Sequence, residues 1–292
     1  MRRICLVLAA SCAALAATAA LGQTGLRSDV TFDVYAPMSE NHELLRRILS
    51  PQAWQAAQAA LAKSHRTLQP QSVDLSKEHF IVYVPSSPPP ARGYGLMVFV
   101  PPWNDARMPA GWSTVFDERN MIYASAALSG NDENVISRRI PLALLAEANI
   151  AKRYTIDPAR IYVGGFSGGS RVAMNIALAY PDVFDGAFLN AGSDPIGGDK
   201  IPLPPSDLLA RFQENTRLYY ATGAQDVGSL GLDARSLHSM KAFCAFHVQQ
   251  QIVPGTTHEV ASPRVLEQAL AYLDTPPADD AAQLASCRAA LH

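Results

Sequence analysis

The sequence predicts an α/β domain built on a mostly parallel sheet with helices on both faces. Two observations carry that prediction. Short, continuously apolar runs such as residues 96–100 recur along the chain, separated by stretches long enough for a helix. Those runs do not alternate polar with apolar residues, as strands buried on both faces should not. Composition agrees: of 292 residues, 48% are hydrophobic and 17% charged, which excludes a disordered chain. The 21 prolines and 18 glycines follow no period, which excludes collagen-like and solenoid architectures. A formal net charge of −2 supplies no basic excess to neutralise phosphates, so nucleic acid is not an expected partner.

The chain opens on a targeting pattern. Arg2 and Arg3 precede an unbroken run of apolar and small residues over 4–20, and Ala20-Leu21-Gly22 puts small residues at the −3 and −1 positions of a cleavage site. Residues 1–22 therefore read as a signal peptide. A membrane anchor is the weaker reading, because the run is poor in large apolar residues and soon meets polar Gln23 and Thr24. The expected product is exported, periplasmic or extracellular, with no stable membrane anchor after processing. Cleavage leaves 22 basic and 26 acidic residues, a net charge of −4. It also removes Cys5 and Cys12, leaving Cys244 and Cys287. An even pair in an oxidising compartment is expected to form a disulfide, the alternative being two free thiols. Neither cysteine lies in a ligand cluster, so no metal site is expected.

Residues 23–77 read as an N-terminal helical segment packed on the main domain. Helical composition covers 39–50 and 51–64, where Pro51 suits a first turn, and no chemistry is legible there. The main domain spans 78–292. Its first strand is expected at 79–84, ended by Pro85, and its second at 96–100, stopped by Pro101-Pro102. A third strand at 121–125 leads to a helix at 140–154, and a fourth at 160–163 to a helix at 168–180. Strands at 186–189 and 217–221, a helix at 232–246 and a strand at 248–253 continue the alternation. Ser262-Pro263 gives the last helix an N-cap and a first-turn proline.

The informative stretch is Gly165-Phe166-Ser167-Gly168-Gly169, a G-x-S-x-G pattern between an apolar strand and a helix. A tight strand-to-helix turn there strains the serine backbone and needs small neighbours, and the helix start offers free N–H groups to a developing oxyanion. The bland alternative is a glycine-rich helix start with an idle serine. A serine nucleophile requires a base. Of seven histidines, His258 lies in a loop after the strand at 248–253, at the sheet edge where α/β sites assemble. An acid must then orient the imidazole. Asp226 follows the strand at 217–221 and is favoured over Asp194, which follows the strand before it; Asp233 reads as a first-turn helix carboxylate. Asn131-Asp132-Glu133-Asn134 either caps the next helix or binds a polar group or cation.

Together, the runs at 80–85 and 96–100, the Ser167 turn, Thr222-Gly-Ala-Gln-Asp226 and Gly255-Thr-Thr-His258 resemble an α/β-hydrolase over about residues 78–273. The most similar subgroup is the secreted esterases like polyhydroxybutyrate depolymerases and feruloyl esterases. The resemblance implies the α/β-hydrolase fold, a catalytic domain over 78–292, a Ser167–His258–Asp226 triad and an acyl-enzyme. It implies no metal or organic cofactor. The substrate would be a small-molecule or polymeric carboxylic ester, with peptidase or amidase activity, or a catalytically weak ligand-binding relative, as alternatives. One departure stands out. Where such enzymes carry a His-Gly pair, this chain reads Pro101-Pro102-Trp103-Asn104, and proline has no N–H to donate. Trp103 (or Asn104) is then expected to complete the oxyanion hole beside Gly168. Trp112 and Phe166 are candidates for substrate binding, with ordinary packing as the alternative for the tryptophans.

Overall fold

Each apolar run forms a strand of one eight-stranded sheet in a computed structural model that describes residues 24–277 and 280–290. The expected signal peptide, residues 1–22, lies outside the described residues. In chain order the elements are β1 (Gly25–Val30), α1 (Asn41–Ile48), α2 (Pro51–Lys63), β2 (Phe80–Val84), β3 (Tyr94–Val100), α3 (Trp112–Glu118) and β4 (Met121–Ala126). There follow α4 (Ile140–Arg153), β5 (Ile156–Phe166), α5 (Gly168–Ala179), β6 (Gly186–Asn190), α6 (Ser206–Asn215) and β7 (Arg217–Gly223). The chain continues through α7 (Val227–Ala242), β8 (Val248–Val253), α8 (Pro263–Asp274) and α9 (Ala281–Ala290). The strand order is β1-β2-β4-β3-β5-β6-β7-β8, and β2 alone runs against its neighbours. The sheet is mostly parallel, as expected.

Successive residues of a strand point to opposite faces, and both faces are dry. Phe80, Val82 and Val84 of β2 and Leu96, Val98 and Val100 of β3 join the core formed with α1, α4, α5 and α6. Ile81, Tyr83, Met97 and Phe99 join a second core under α3 and α8. Two apolar layers around one sheet explain why the strands show no alternation.

Three elements differ from expectation. Residues 25–30 lie in the segment expected to be helical, yet they pair antiparallel with β2 as an edge strand. Their exposure alternates only roughly, so periodicity hides them. β5 runs from Ile156, four residues before its expected start. Its pairing with β3 slips between Tyr94↔Ile156 and Leu96↔Ile161, which accommodates Pro158. Helix α7 begins at Val227, because Asp226 caps it by accepting from the Ser229 N–H; Gly228 and Gly231 mask that start in the sequence.

The N-terminal segment is anchored by an ion pair. Arg47 of α1 is 4% exposed and meets Asp182 at 2.6 Å and Glu43 at 2.6 Å. At the other end, Cys244 and Cys287 form a disulfide that ties α9 to the turn after α7. Among the described residues no helix is long and apolar enough to cross a membrane.

Candidate active site

The turn from β5 to α5 holds Ser167 at φ 55°, in the left-handed region that a side chain rarely adopts. Its surroundings enforce that conformation. A Cβ on Gly165 would sit 2.2 Å from the Gly169 carbonyl oxygen, and one on Gly169 would sit 1.9 Å from that of Val100. Only glycine fits at either place. The Ser167 N–H donates to Asn190 O at 2.8 Å, and its hydroxyl makes no helix cap. The hydroxyl is therefore free for another partner.

That partner is His258, whose Nε2 accepts from Ser167 Oγ at 2.9 Å. The histidine loop follows β8 and rests on β7: a Cβ on Gly223 would meet Thr257 O at 2.3 Å. Phe166 packs its ring 5.1 Å from the imidazole. On the far side, His258 Nδ1–H donates to Asp226 Oδ2 at 2.5 Å. A carboxylate on Nδ1 fixes that nitrogen as donor, leaving Nε2 as the acceptor in the neutral ring. Burial raises the Asp226 pKa, but hydrogen bonds from His258 and Ser229 outweigh it and the net shift is downward. Asp226 is thus held as a carboxylate facing the ring.

The rival acids are elsewhere. Asp194 is 6% exposed, with Lys200 Nζ at 3.4 Å and Arg171 Nε at 4.0 Å. Asp233 is no exposed first-turn residue: it is fully buried in the second turn of α7 and accepts from Ser193 N and Thr222 Oγ1. Burial pushes its pKa up to about 6.

The loop 101–104 follows β3 and lies against the start of α5. Pro101 O accepts from Arg139 Nη2, Pro102 O from the Asn131 N–H and Asn104 O from the Leu128 N–H. The backbone N–H groups of Trp103 and Gly168 have no acceptor among the described residues. Trp103 packs between Phe166 and the Arg107 guanidinium, which lies 4.1 Å over its ring. Trp112 is corrected from a pocket residue to a core residue. It is 0% exposed, donates from Nε1 to Ala261 O and packs on Phe99, Tyr123 and Phe188. A tryptophan with its one donor satisfied inside an apolar layer has no surface left for substrate.

A cavity of about 580 Å³ opens beside Ser167 and Gly168. Its walls include Ile48 and Leu49 from the N-terminal segment, Val135 and Ile136 after β4, and Ile201 beyond β6. The segment without legible chemistry thus builds part of the cavity. Within the acidic-looking run, Asn134 caps the following turn by accepting from Ile136 N and Ser137 N, so capping is its role. Asn131 instead crowds Gly168, where a Cβ would meet its Oδ1 at 2.1 Å. Ser229 was missed by sequence reasoning; its Oγ stands 3.3 Å from His258 Nδ1. Only the cap at Asp226, which puts Ser229 three residues on, could have signalled it.

No protein-family model matches the sequence, and no curated protein matches it. Solved structures do. The chain is similar to S-formylglutathione hydrolase from Staphylococcus aureus, at 11% identity and a TM-score of 0.51, over 67% of this chain and 92% of that one. It is similar to MGS-M1, an α/β-hydrolase enzyme from a Medee basin deep-sea metagenome, at 16% identity and a TM-score of 0.50 over 65% and 81% of the two chains. A protein described as a dipeptidyl aminopeptidase IV of Bacteroides ovatus matches at 18% identity and a TM-score of 0.50, over 68% of this chain. This chain spans only 34% of that longer protein. Likeness at such identities speaks of architecture alone, and the architecture it establishes, together with the strand order, is the α/β-hydrolase fold.

Proposed function

We propose that this protein is an exported serine hydrolase that cleaves carboxylic esters through a Ser167–His258–Asp226 triad. The observation that carries the proposal is the unbroken chain of hydrogen bonds from Ser167 Oγ to His258 Nε2 and from His258 Nδ1 to Asp226, ending on a carboxylate. Ser167 Oγ attacks the ester carbonyl while His258 Nε2 takes its proton. Asp226 holds the ring and stabilises the imidazolium. The carbonyl oxygen becomes an oxyanion beside the unpaired N–H groups of Gly168 and Trp103. Collapse expels the alcohol, protonated by His258, and leaves an acyl-enzyme. Water activated by the same histidine then releases the acid.

Export is supported by the leader pattern of residues 1–22 and by the Cys244–Cys287 disulfide, which suits an oxidising compartment. N-terminal sequencing of the secreted or periplasmic product should begin at Gln23. For the chemistry, a fluorophosphonate probe should label the wild type at Ser167 and leave Ser167→Ala unlabelled. Paired p-nitrophenyl esters and anilides then separate esterase from amidase. Absence of labelling at Ser167 would leave a ligand-binding relative as the better reading.

A further inference from the structure

Arg139 is a buried cation without a carboxylate. It is 3% exposed, and its guanidinium donates from Nε to Ser129 O and from Nη2 to Pro101 O, each at 2.9 Å. Among the described residues no acid lies within ion-pair distance of it. Burial holds its pKa down to about 10, with the charge of Glu133 opposing the shift only in part. The two carbonyls occupy the Nε/Nη2 edge of the planar fork. The Nη1/Nη2 edge, the one that matches a carboxylate with two parallel hydrogen bonds, has no further partner among the described residues. Arg139 lines the same cavity as Ser167. It ends a single π-helical turn, Val135–Arg139, closed by the Ile140 N–H on Val135 O. Single π turns of this kind are rare and are found frequently at functional sites.

The cavity around it is basic. Arg171 and Lys200 join Arg139 in its wall, and the buried Asp194 lies between Arg171 and Lys200, partly neutralising both. Asp199 stands at the exposed rim. Three cations against two carboxylates leave the lining one positive charge in excess, in a chain of net charge −2. A buried guanidinium that meets only backbone carbonyls, with Glu133 acting on it from beyond ion-pair distance, is costly unless an anion meets it.

Building on the hydrolase reading, we propose that Arg139 forms an anion subsite in the Ser167 cavity and that the substrate is an ester carrying a free carboxylate. The carboxylate docks on the open edge of Arg139 while Arg171 and Lys200 supply long-range attraction at the mouth. A carboxylate on the acyl side and one on the alcohol side present the same group to that edge.

Two matched pairs of esters separate those sources, read as kcat/KM on the intact protein. Monoethyl adipate against ethyl hexanoate places the charge on the acyl side, and 4-acetoxybenzoate against phenyl acetate places it on the alcohol side. The wild type should prefer the charged member of one pair. Arg139→Gln should cut that preference about ten- to a hundredfold, the value of a charge-assisted hydrogen bond, and Arg139→Lys should keep part of it. Preference for the neutral member in both pairs would overturn the subsite. So would an Arg139→Gln loss that falls equally on both members of a pair, which marks Arg139 as a clamp for the 101–104 loop. If Arg139→Gln does not fold, Arg171→Gln is read the same way, together with thermal stabilisation of the wild type by adipate relative to the neutral adipamide. Hydrolysis of neither pair would sink the hydrolase reading. The adipate shift on Ser167→Ala then still decides the subsite, its absence overturning it.

Discussion

Ser167 is strained at φ 55° and its side chain makes no cap on its own helix, so its hydroxyl is available to His258. Removal of that hydroxyl in Ser167→Ala should reduce turnover by about 10⁶-fold with the fold unchanged, measured by ester hydrolysis and circular dichroism. Asp226→Asn should cost about 10⁴-fold, because an amide on Nδ1 favours the wrong tautomer. Asp194→Asn should leave activity within tenfold, since Asp194 faces Lys200 and Arg171; the reverse ranking would reassign the acid. Asp226 has a lowered pKa, so what its charge adds to stability is present above the unfolded pKa and lost as pH falls through the folded one. Asp233 behaves oppositely. Its pKa is raised from 3.8 to about 6, so the native state favours the proton and stability declines as pH rises between those values. The decline is at most about 3 kcal/mol. Asp233→Asn should flatten it, in urea unfolding compared at pH 4.5 and pH 8.

At the scale of elements, the candidate site exists because four strand ends meet: β3 brings the 101–104 loop, β5 Ser167, β7 Asp226 and β8 His258. The tightest junction is between β3 and α5, where Gly169 lies against the Val100 carbonyl. Gly169→Ala would place a Cβ 1.9 Å from that oxygen, and neither backbone can yield without moving the Ser167 turn. Loss of both activity and several kcal/mol of stability is expected. Wild-type thermal stability in Gly169→Ala would show that the junction relaxes more easily than its geometry indicates. Gly168 differs, because its clash is with the side chain of Asn131. An alanine there should displace Asn131 and lower activity while the protein still folds.

At the scale of the molecule, the Cys244–Cys287 bond closes a loop of 43 residues that contains His258. Loop-closure entropy assigns it up to about 4 kcal/mol. Part of α9 docking is independent of the bond, since Leu284 is buried and Arg288 donates to Gln213 and to Ala210 O. Cys244→Ser with Cys287→Ser should therefore lower the melting temperature and speed amide exchange in α9. It should leave ester turnover largely intact, because the Ser167–His258–Asp226 hydrogen bonds do not involve the tail. An unchanged melting temperature would mean that α9 is held by packing alone.

The alternation of buried strands with helices, the Ser167 turn and the positions of His258 and Asp226 after strands were readable in the sequence. Each is a local pattern imposed by a local need: dry strands on both faces, small residues at a strained turn, loops at strand ends. The partnering of Asp226 with His258, and of Asp194 with Arg171 and Lys200, was decided by strand order, which brings distant loops to one edge and leaves no periodic trace. The same holds for β1, an edge strand made by pairing with β2, and for Trp112, whose burial depends on α3 and α8 closing over it. Arg139 is the clearest case. A basic residue ahead of a helix reads as surface, and only the packing of the β3 and β4 loops around it makes a buried cation facing the Ser167 cavity.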